Sequence, residues 1–375
     1  MLKEVVGFAP TISEHPGRRF HSSSPSTFSS PSISIFKYTW VSFLIILSLE
    51  LSLVDSVHPY PNIIMPSQSG LPPSPSCTAM DPKLNYLPVI GILSHPGDGA
   101  SGRLNNATNG SYIAASYVKF VESAGARVIP LIFNEPLEVI FEKLNLVNGV
   151  LFTGGWAKKD LYYSVAEKIF QKILERNDAG DRFPLYAICL GFEILSMIIS
   201  KDRNILEPFN ASYMASTLQF ADNVNIQGTV FQRFPHYLLE KLSTDCIVMQ
   251  NHRFGISPES FAQNEELSKF FQILTTSSDE DNKVYVSTVH ARDYPVTAFQ
   301  WHPEKNAFEW GSSVIPHTEH AIEVTQHVAN HLVSEARKSL NRPPAQKVLE
   351  NLIYNYSPIF GGKAGKGFDE VYIFT

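Results

Sequence analysis

A doubly wound α/β domain with a mostly parallel central sheet is the fold this sequence predicts, and three observations predict it. Short, fully apolar runs suit strands buried on both faces, amphipathic segments of helical period separate them, and one such strand ends in Cys189 and turns directly into an apolar helix. In chain order, residues 88–93 (PVIGIL) form the first strand, closed by the turn-rich SHPGDGASG. Residues 111–124 show helical spacing through Ile113, Ala114, Tyr117, Val118 and Val121, and residues 127–133 (RVIPLIF) read as the next strand. A helix over 137–146 leads to a third strand at 149–152, which ends in Thr153-Gly154-Gly155. Residues 160–176 are again helical, 184–188 (PLYAI) run straight into Cys189, and an apolar helix follows over 192–200. From 224 to 288 the strands become shorter and more polar; residues 296–299 (VTAF) then lead through Gln300 and Trp301 into His302, and a long helix spans 319–339. No internal repeat is present, so residues 82–342 are expected to form one catalytic domain, followed by an extension over 343–375.

Composition removes several function classes. With 30 basic against 36 acidic side chains the net charge is −6, so no global basic field recruits nucleic acid or an anionic membrane. Three cysteines without a C-x-x-C pair exclude a disulfide-stapled scaffold or a zinc ribbon. Residues 1–35 are rich in Ser and Pro and are expected to be disordered. Residues 36–57 hold an apolar stretch from Trp40 to Val54 that Glu50 interrupts; it suits a signal peptide or signal anchor better than a span, which needs about 20 apolar residues. This predicts secretory entry and no stable membrane insertion after signal removal, with a plastid the alternative if the lead carrying Arg18 and Arg19 is a transit peptide. Residues 58–81 are a Pro/Ser-rich linker containing Cys77, and Asn106, Asn109 and Asn210 stand in sequons open to glycosylation on that route.

The chemistry concentrates at two strand ends. Free cysteine is ordinarily a small buried hydrophobe, but Cys189 stands in a small-x-nucleophile-x-Gly elbow between strand and helix, which exposes its side chain at the carboxyl edge of the sheet. There the helix N-terminus is expected to favour a thiolate and to present N–H groups to an oxyanion. His302, at the end of another apolar strand, reaches the same edge and supplies a base, while Glu304 two residues on would orient the imidazole.

These pieces, ICLGFE at 188–193, FTGG at 152–155, QNHRFGIS at 250–257 and FQWHPE at 299–304, resemble the class I glutamine amidotransferase-like superfamily, specifically its plant-type gamma-glutamyl hydrolases. The resemblance spans about residues 88–339 and includes SYVKFVESAGARVIPL. It implies cysteine-dependent hydrolysis of gamma-linked glutamate from folylpoly-gamma-glutamates in a vacuolar or extracellular setting, by a homodimer, without metal or organic cofactor. By motif, Cys189 would be the nucleophile, His302 the base and Glu304 its partner. The backbone N–H of Leu190, with one from the Gly154-Gly155 turn, would form the oxyanion hole, and His252 and Gly154 would lie at the substrate. A polyanionic substrate calls for cations, and Lys158, Lys159 and Arg253 adjoin the motif loops. The elbow departs from many superfamily members in carrying Ala187 in place of Gly.

Other readings rest on particular features. Gly97-Asp98-Gly99-Ala100-Ser101-Gly102 has the G-x-G-x-x-G form of dinucleotide sites, but the loop runs on past its third Gly, and Glu122 lies inside a predicted helix rather than at a strand end. His317, His320, His327 and His331 have helical spacing but no third metal ligand fixed by sequence, and are expected on a solvated face. Cys246 reads as a buried strand residue, and nothing in its position supports a bond to Cys77. An amidotransferase glutaminase, a hydrolase of another gamma-glutamyl substrate and a noncatalytic binding protein are the competing functions on this fold.

Overall fold

The computed structural model describes residues 79–99, 110–361 and 367–375; the lead, the apolar segment, Cys77, Asn106, Asn109 and the end of the glycine-rich loop lie outside them. The chain from Met80 to Thr375 is one unit. It runs β1 (Val89–Leu93), β2 (His95–Pro96), β3 (Ser111–Ala114), α1 (Ala115–Ser123), β4 (Arg127–Leu131), α2 (Leu137–Leu144), β5 (Gly149–Phe152) and α3 (Asp160–Asp178). The next elements are β6 (Leu185–Ile188), α4 (Leu190–Ser200), β7 (Glu207–Ser216), β8 (Gln219–Phe220), α5 (His236–Thr244), β9 (Val248–Gly255), α6 (Pro258–Gln263) and α7 (Glu265–Phe270). The chain closes with β10 (Phe271–Ser278), β11 (Val284–Ala291), β12 (Val296–Phe299), α8 (Lys305–Phe308), α9 (Glu319–Ala336), α10 (Ala345–Asn351), β13 (Ile359–Phe360) and β14 (Glu370–Phe374).

The main sheet has the order β4-β1-β5-β6-β12-β11-β10-β8. Its first five strands are parallel, and β11, β10 and β8 extend it antiparallel. The parallel strands are the apolar runs of the sequence, buried at nearly every residue because both faces are covered. One face packs on α2, α3 and α4 through residues such as Ile140, Ile169 and Leu195, the other on α1, α5 and α9 through Phe120, Leu238 and Val328. That two-sided cover is the doubly wound arrangement.

Residues 111–114 depart from expectation: they form β3, and the helix begins at Ala115. The reason lies far along the chain, where β14 pairs antiparallel with β3, Val371 opposite Ala114 and Phe374 opposite Ser111, in a small sheet β13-β14-β3-β2. Helical spacing through Ile113 and Ala114 thus yields to a partner more than 250 residues away, and the C-terminal extension packs on the body instead of trailing from it. Cys246 is exposed just before β9, not buried within it. The four histidines do not share one solvated face: His331 is buried and hydrogen-bonded to the Tyr186 hydroxyl at 2.6 Å, and His317 stacks on Trp310 ahead of α9. After Gly97 and Gly99 the chain resumes as β3 rather than as a helix.

Candidate active site

The two strand ends singled out by the sequence are neighbours. β6 and β12 pair in parallel with Ile188 opposite Phe299, so Cys189 and the segment 300–302 leave the same edge of the sheet side by side. The Cys189 N–H donates to the Phe299 carbonyl at 2.7 Å, which fixes the elbow. At the elbow Cys189 adopts φ 52° and ψ −102°, a left-handed conformation that costs an ordinary residue roughly 1–3 kcal/mol and turns the chain sharply into α4. Gly191 makes the turn sterically open, since a Cβ there would stand 2.9 Å from the Phe152 carbonyl oxygen of β5. Gly154 does the same on the opposite wall: a Cβ would lie 2.9 Å from His302 Cε1 and 3.4 Å from Cys189 Cβ, so both side chains converge on this glycine.

His302 is held from several sides. Trp301 is fully buried with its indole N–H on Thr288 Oγ1 at 2.9 Å, and the His302 N–H donates to the Met249 carbonyl of β9 at 2.9 Å. His302 Nδ1 lies 2.8 Å from Oε1 of the fully buried Glu304. A carboxylate at that distance holds the proton on Nδ1 and leaves Nε2 unprotonated; Nε2 is buried and has no hydrogen-bond partner among the described residues. Cys189 Sγ, in turn, is 3.7 Å from the Asn251 carbonyl.

Burial pushes the Cys189 thiol far up, Glu193 and Glu304 push it further, and Lys305 and Lys158 pull it only partly back. Cys189 therefore rests as a thiol rather than as the thiolate expected from the helix N-terminus. A helix terminus contributes about 0.3–2 kcal/mol, which desolvation beside two carboxylates outweighs. Burial likewise lowers His302. Burial pushes Glu304 up, but His302 and then Lys305 outweigh it and hold the carboxyl below its ordinary range. Thiol, neutral imidazole and carboxylate form a coherent resting state in which the imidazole is ready to accept a proton.

A cavity of about 560 Å³ opens on Cys189, Gly154, Gly155 and His302. Leu190 opens α4, so its N–H belongs to the first turn, where amides have no intrahelical acceptor. The Gly154 N–H is committed to the Tyr117 hydroxyl at 2.9 Å, and Gly155 lines the cavity beside it. His95, which sequence reasoning passed over, organises the same loop: its Nδ1 meets the Pro96 carbonyl at 2.8 Å, and its Nε2 accepts the Trp156 and Ala157 N–H groups at 3.0 and 3.1 Å. Accepting two amides requires a neutral ring, and burial pushes His95 down to about 4.

Of the predicted substrate residues, Gly154 lines the cavity at Cys189, and His252, Lys158, Lys159 and Arg253 do not. His252 is buried on β9, with Nδ1 at 2.9 Å from the Phe254 carbonyl and its ring edge-on to Tyr285, and burial takes it down to about 3. Lys158 pairs with buried Glu193 at 2.7 Å and lies over the Phe254 ring; with Lys159 it lines a separate cavity of about 620 Å³. Arg253 is exposed, and none of these three cations lines the cavity at Cys189. Lys305, directly after Glu304, does line it, as do Tyr112 and Phe368. Adjacency to the histidine motif was the signal for Lys305; Phe368 carries none, because only the pairing of β14 with β3 brings it there.

Glu193 supplies a pH prediction. Burial raises its carboxyl, Lys158 opposes, and the group ends at about 7. The unfolded carboxyl ionises near its ordinary value of about 4.3, so between there and pH 7 the native state binds more protons and stability falls as pH rises. Glu193→Gln removes that dependence. Its melting temperature relative to the parent is expected to climb from pH 5 to pH 8, by an amount corresponding to roughly 3 kcal/mol across the window; a difference that stays flat over those pH values refutes it.

The Peptidase C26 family model matches residues 88–304. Gamma-glutamyl hydrolase 2 of Arabidopsis thaliana is 70% identical over 315 residues, which cover 84% of this chain and 91% of that protein. Gamma-glutamyl hydrolase 1 of the same plant is 68% identical over 316 residues, with the same two shares. The gamma-glutamyl hydrolase of Glycine max is 60% identical over 314 residues, 84% of this chain and 92% of that protein.

Proposed function

The chain belongs to the gamma-glutamyl hydrolase family, Peptidase C26, and hydrolyses gamma-glutamyl bonds; from that premise we propose that it cleaves folylpoly-gamma-glutamates with Cys189 as nucleophile, His302 as base and Glu304 as orienting partner. The observation that carries the assignment of roles is the 2.8 Å contact between His302 Nδ1 and Glu304, which leaves Nε2 open at the wall it shares with Cys189. In the reaction, the Cys189 thiol proton passes to His302 Nε2 as Sγ bonds to the gamma-carbonyl carbon. The oxyanion is taken by the Leu190 and Gly155 N–H groups. The C–N bond then breaks, the imidazolium gives its proton to the departing alpha-amine, and a thioester remains. Water, deprotonated by the same imidazole, attacks the thioester and releases the carboxylate and the thiol. These side chains and water balance every step. Glu304 stabilises the imidazolium in both halves.

Delivery by the secretory route to a vacuole or the extracellular space is part of the proposal, and rests on the apolar segment at 36–57. Among the described residues no helix is long and apolar enough to cross a membrane.

The test is chromatographic analysis of products from the full chain incubated with folylpentaglutamate, beside a glutamine-to-ammonia assay. Release of glutamate or short gamma-glutamyl chains is expected, and the product lengths report the position of cleavage. Ammonia from glutamine with folylpentaglutamate left intact would instead assign an amidotransferase-type glutaminase.

A further inference from the structure

Four successive backbone amides, from Gly154 to Ala157, follow β5 towards the cavity at Cys189, and three of them are bonded by side chains from outside the loop. The Gly154 N–H donates to the Tyr117 hydroxyl of α1, and the Trp156 and Ala157 N–H groups both donate to His95 Nε2, at 3.0 and 3.1 Å. The fourth, the Gly155 N–H, meets no acceptor among the described residues, and Gly155 lines the cavity. An amide kept free in a loop whose other amides are all committed is what a developing oxyanion requires.

His95 is fixed in both orientation and protonation. Its Nδ1 lies 2.8 Å from the Pro96 carbonyl, which can only accept, so the proton is on Nδ1 and Nε2 offers a lone pair. The ring is fully buried, with Tyr112, Trp156 and Tyr162 edge-on at 5.3, 5.1 and 5.4 Å between centroids. It also lies directly against the free amide's own residue: a Cβ on Gly155 would stand 2.2 Å from His95 Cδ2. Its strand, β2, pairs with β3, His95 opposite Tyr112, which ties the ring to a second wall of the same cavity. Two consecutive N–H groups aimed at one point form a small anion-binding concavity, and here the lone pair of a neutral ring fills it. Without that acceptor both N–H groups lose their partner, at roughly 1–3 kcal/mol each where buried, and the adjoining Gly155 peptide is free to turn with them.

We propose that His95 is a positioning residue for the transition state: by accepting the Trp156 and Ala157 amides and packing on Gly155, it holds the Gly155 N–H where the oxyanion forms. The proposal rests on the reading of this cavity as the gamma-glutamyl hydrolase centre. His95 itself touches neither substrate nor the reacting atoms; it acts through the loop.

The experiment compares His95→Gln and His95→Asn in the full chain with folylpentaglutamate. A glutamine carbonyl reaches the place of Nε2 and can accept both amides, whereas the shorter asparagine keeps a donor for the Pro96 carbonyl and loses the acceptor. The asparagine variant is expected to lose about 100-fold in kcat, the effect of a displaced oxyanion donor, with KM within about threefold of the parent. The glutamine variant is expected to recover to within about tenfold of the parent. Alkylation of Cys189 by iodoacetamide, followed by mass spectrometry of its peptide, is the control. That reaction displaces iodide at a saturated carbon and builds no oxyanion, so its rate is expected to stay within about twofold of the parent in both variants. His95→Leu, which also lacks the acceptor, replaces the asparagine variant if the latter does not fold. Parental kcat without the acceptor overturns the proposal, as does a glutamine variant no better than the asparagine one. Alkylation that slows in step with kcat overturns it too, since that is the signature of a general disturbance of Cys189 and His302. A parent enzyme that leaves folylpentaglutamate intact would refute the underlying reading of the cavity instead.

Discussion

Cys189→Ala is expected to abolish hydrolysis of folylpentaglutamate, lowering kcat by about 10⁴ or more while leaving the fold intact. The magnitude follows from what the thiol does: without it no thioester forms, and the remaining oxyanion donors and His302 act on a bond that only water can attack. The same position offers an independent check on the elbow. Because Cys189 sits at φ 52° and ψ −102°, alanine inherits the backbone strain and glycine does not. Cys189→Gly is thus expected to be as inactive as Cys189→Ala but more stable, by roughly 1–3 kcal/mol in chemical denaturation. Equal stability of the two variants would mean that the elbow stores no strain, and residual turnover above about 1% of the parent in either would remove Cys189 from its role.

Glu304→Gln is expected to lower kcat by on the order of 10³ to 10⁴ with little change in KM. Glu304 is fully buried and accepts the Nδ1 proton of His302 at 2.8 Å. A glutamine amide can turn its NH2 towards Nδ1, which moves the imidazole proton to Nε2 and presents Cys189 with a donor where a base is needed. The loss of the carboxylate also leaves the imidazolium without its counter-charge in a desolvated site. Steady-state kinetics measure the loss, and the nitrogen chemical shifts of His302 report the tautomer directly. A glutamine variant that retains parent kcat, or loses activity with the Nδ1 proton unmoved, contradicts this role.

The chemical centre was legible from local sequence because its parts sit at strand ends. An apolar run of four or five residues marks a strand buried on both faces, and the residue that ends it must emerge at the sheet edge. Cys189 and His302 both stand in that position, and Glu304 is close enough in sequence to His302 to be tied to it. The placement of the cations was not legible in the same way. Lys158 adjoins a motif loop, yet its charge is spent on Glu193, a residue that sequence position alone does not mark as buried. His95 stands just ahead of the glycine-rich loop, whose pattern does not point to the histidine, and its importance comes from two amides some 60 residues away.

By itself, the sequence determined the alternation of strand and helix, the elbow at Cys189 and the pairing of His302 with Glu304, since each depends on residues within a turn or a strand of one another. The tertiary structure decided that residues 111–114 are a strand, that the C-terminal segment brings Phe368 to the cavity at Cys189, and that burial holds Cys189 as a protonated thiol. Strand pairing across more than 250 residues and desolvation by surrounding side chains are properties of the packed molecule; neither has a local period to read.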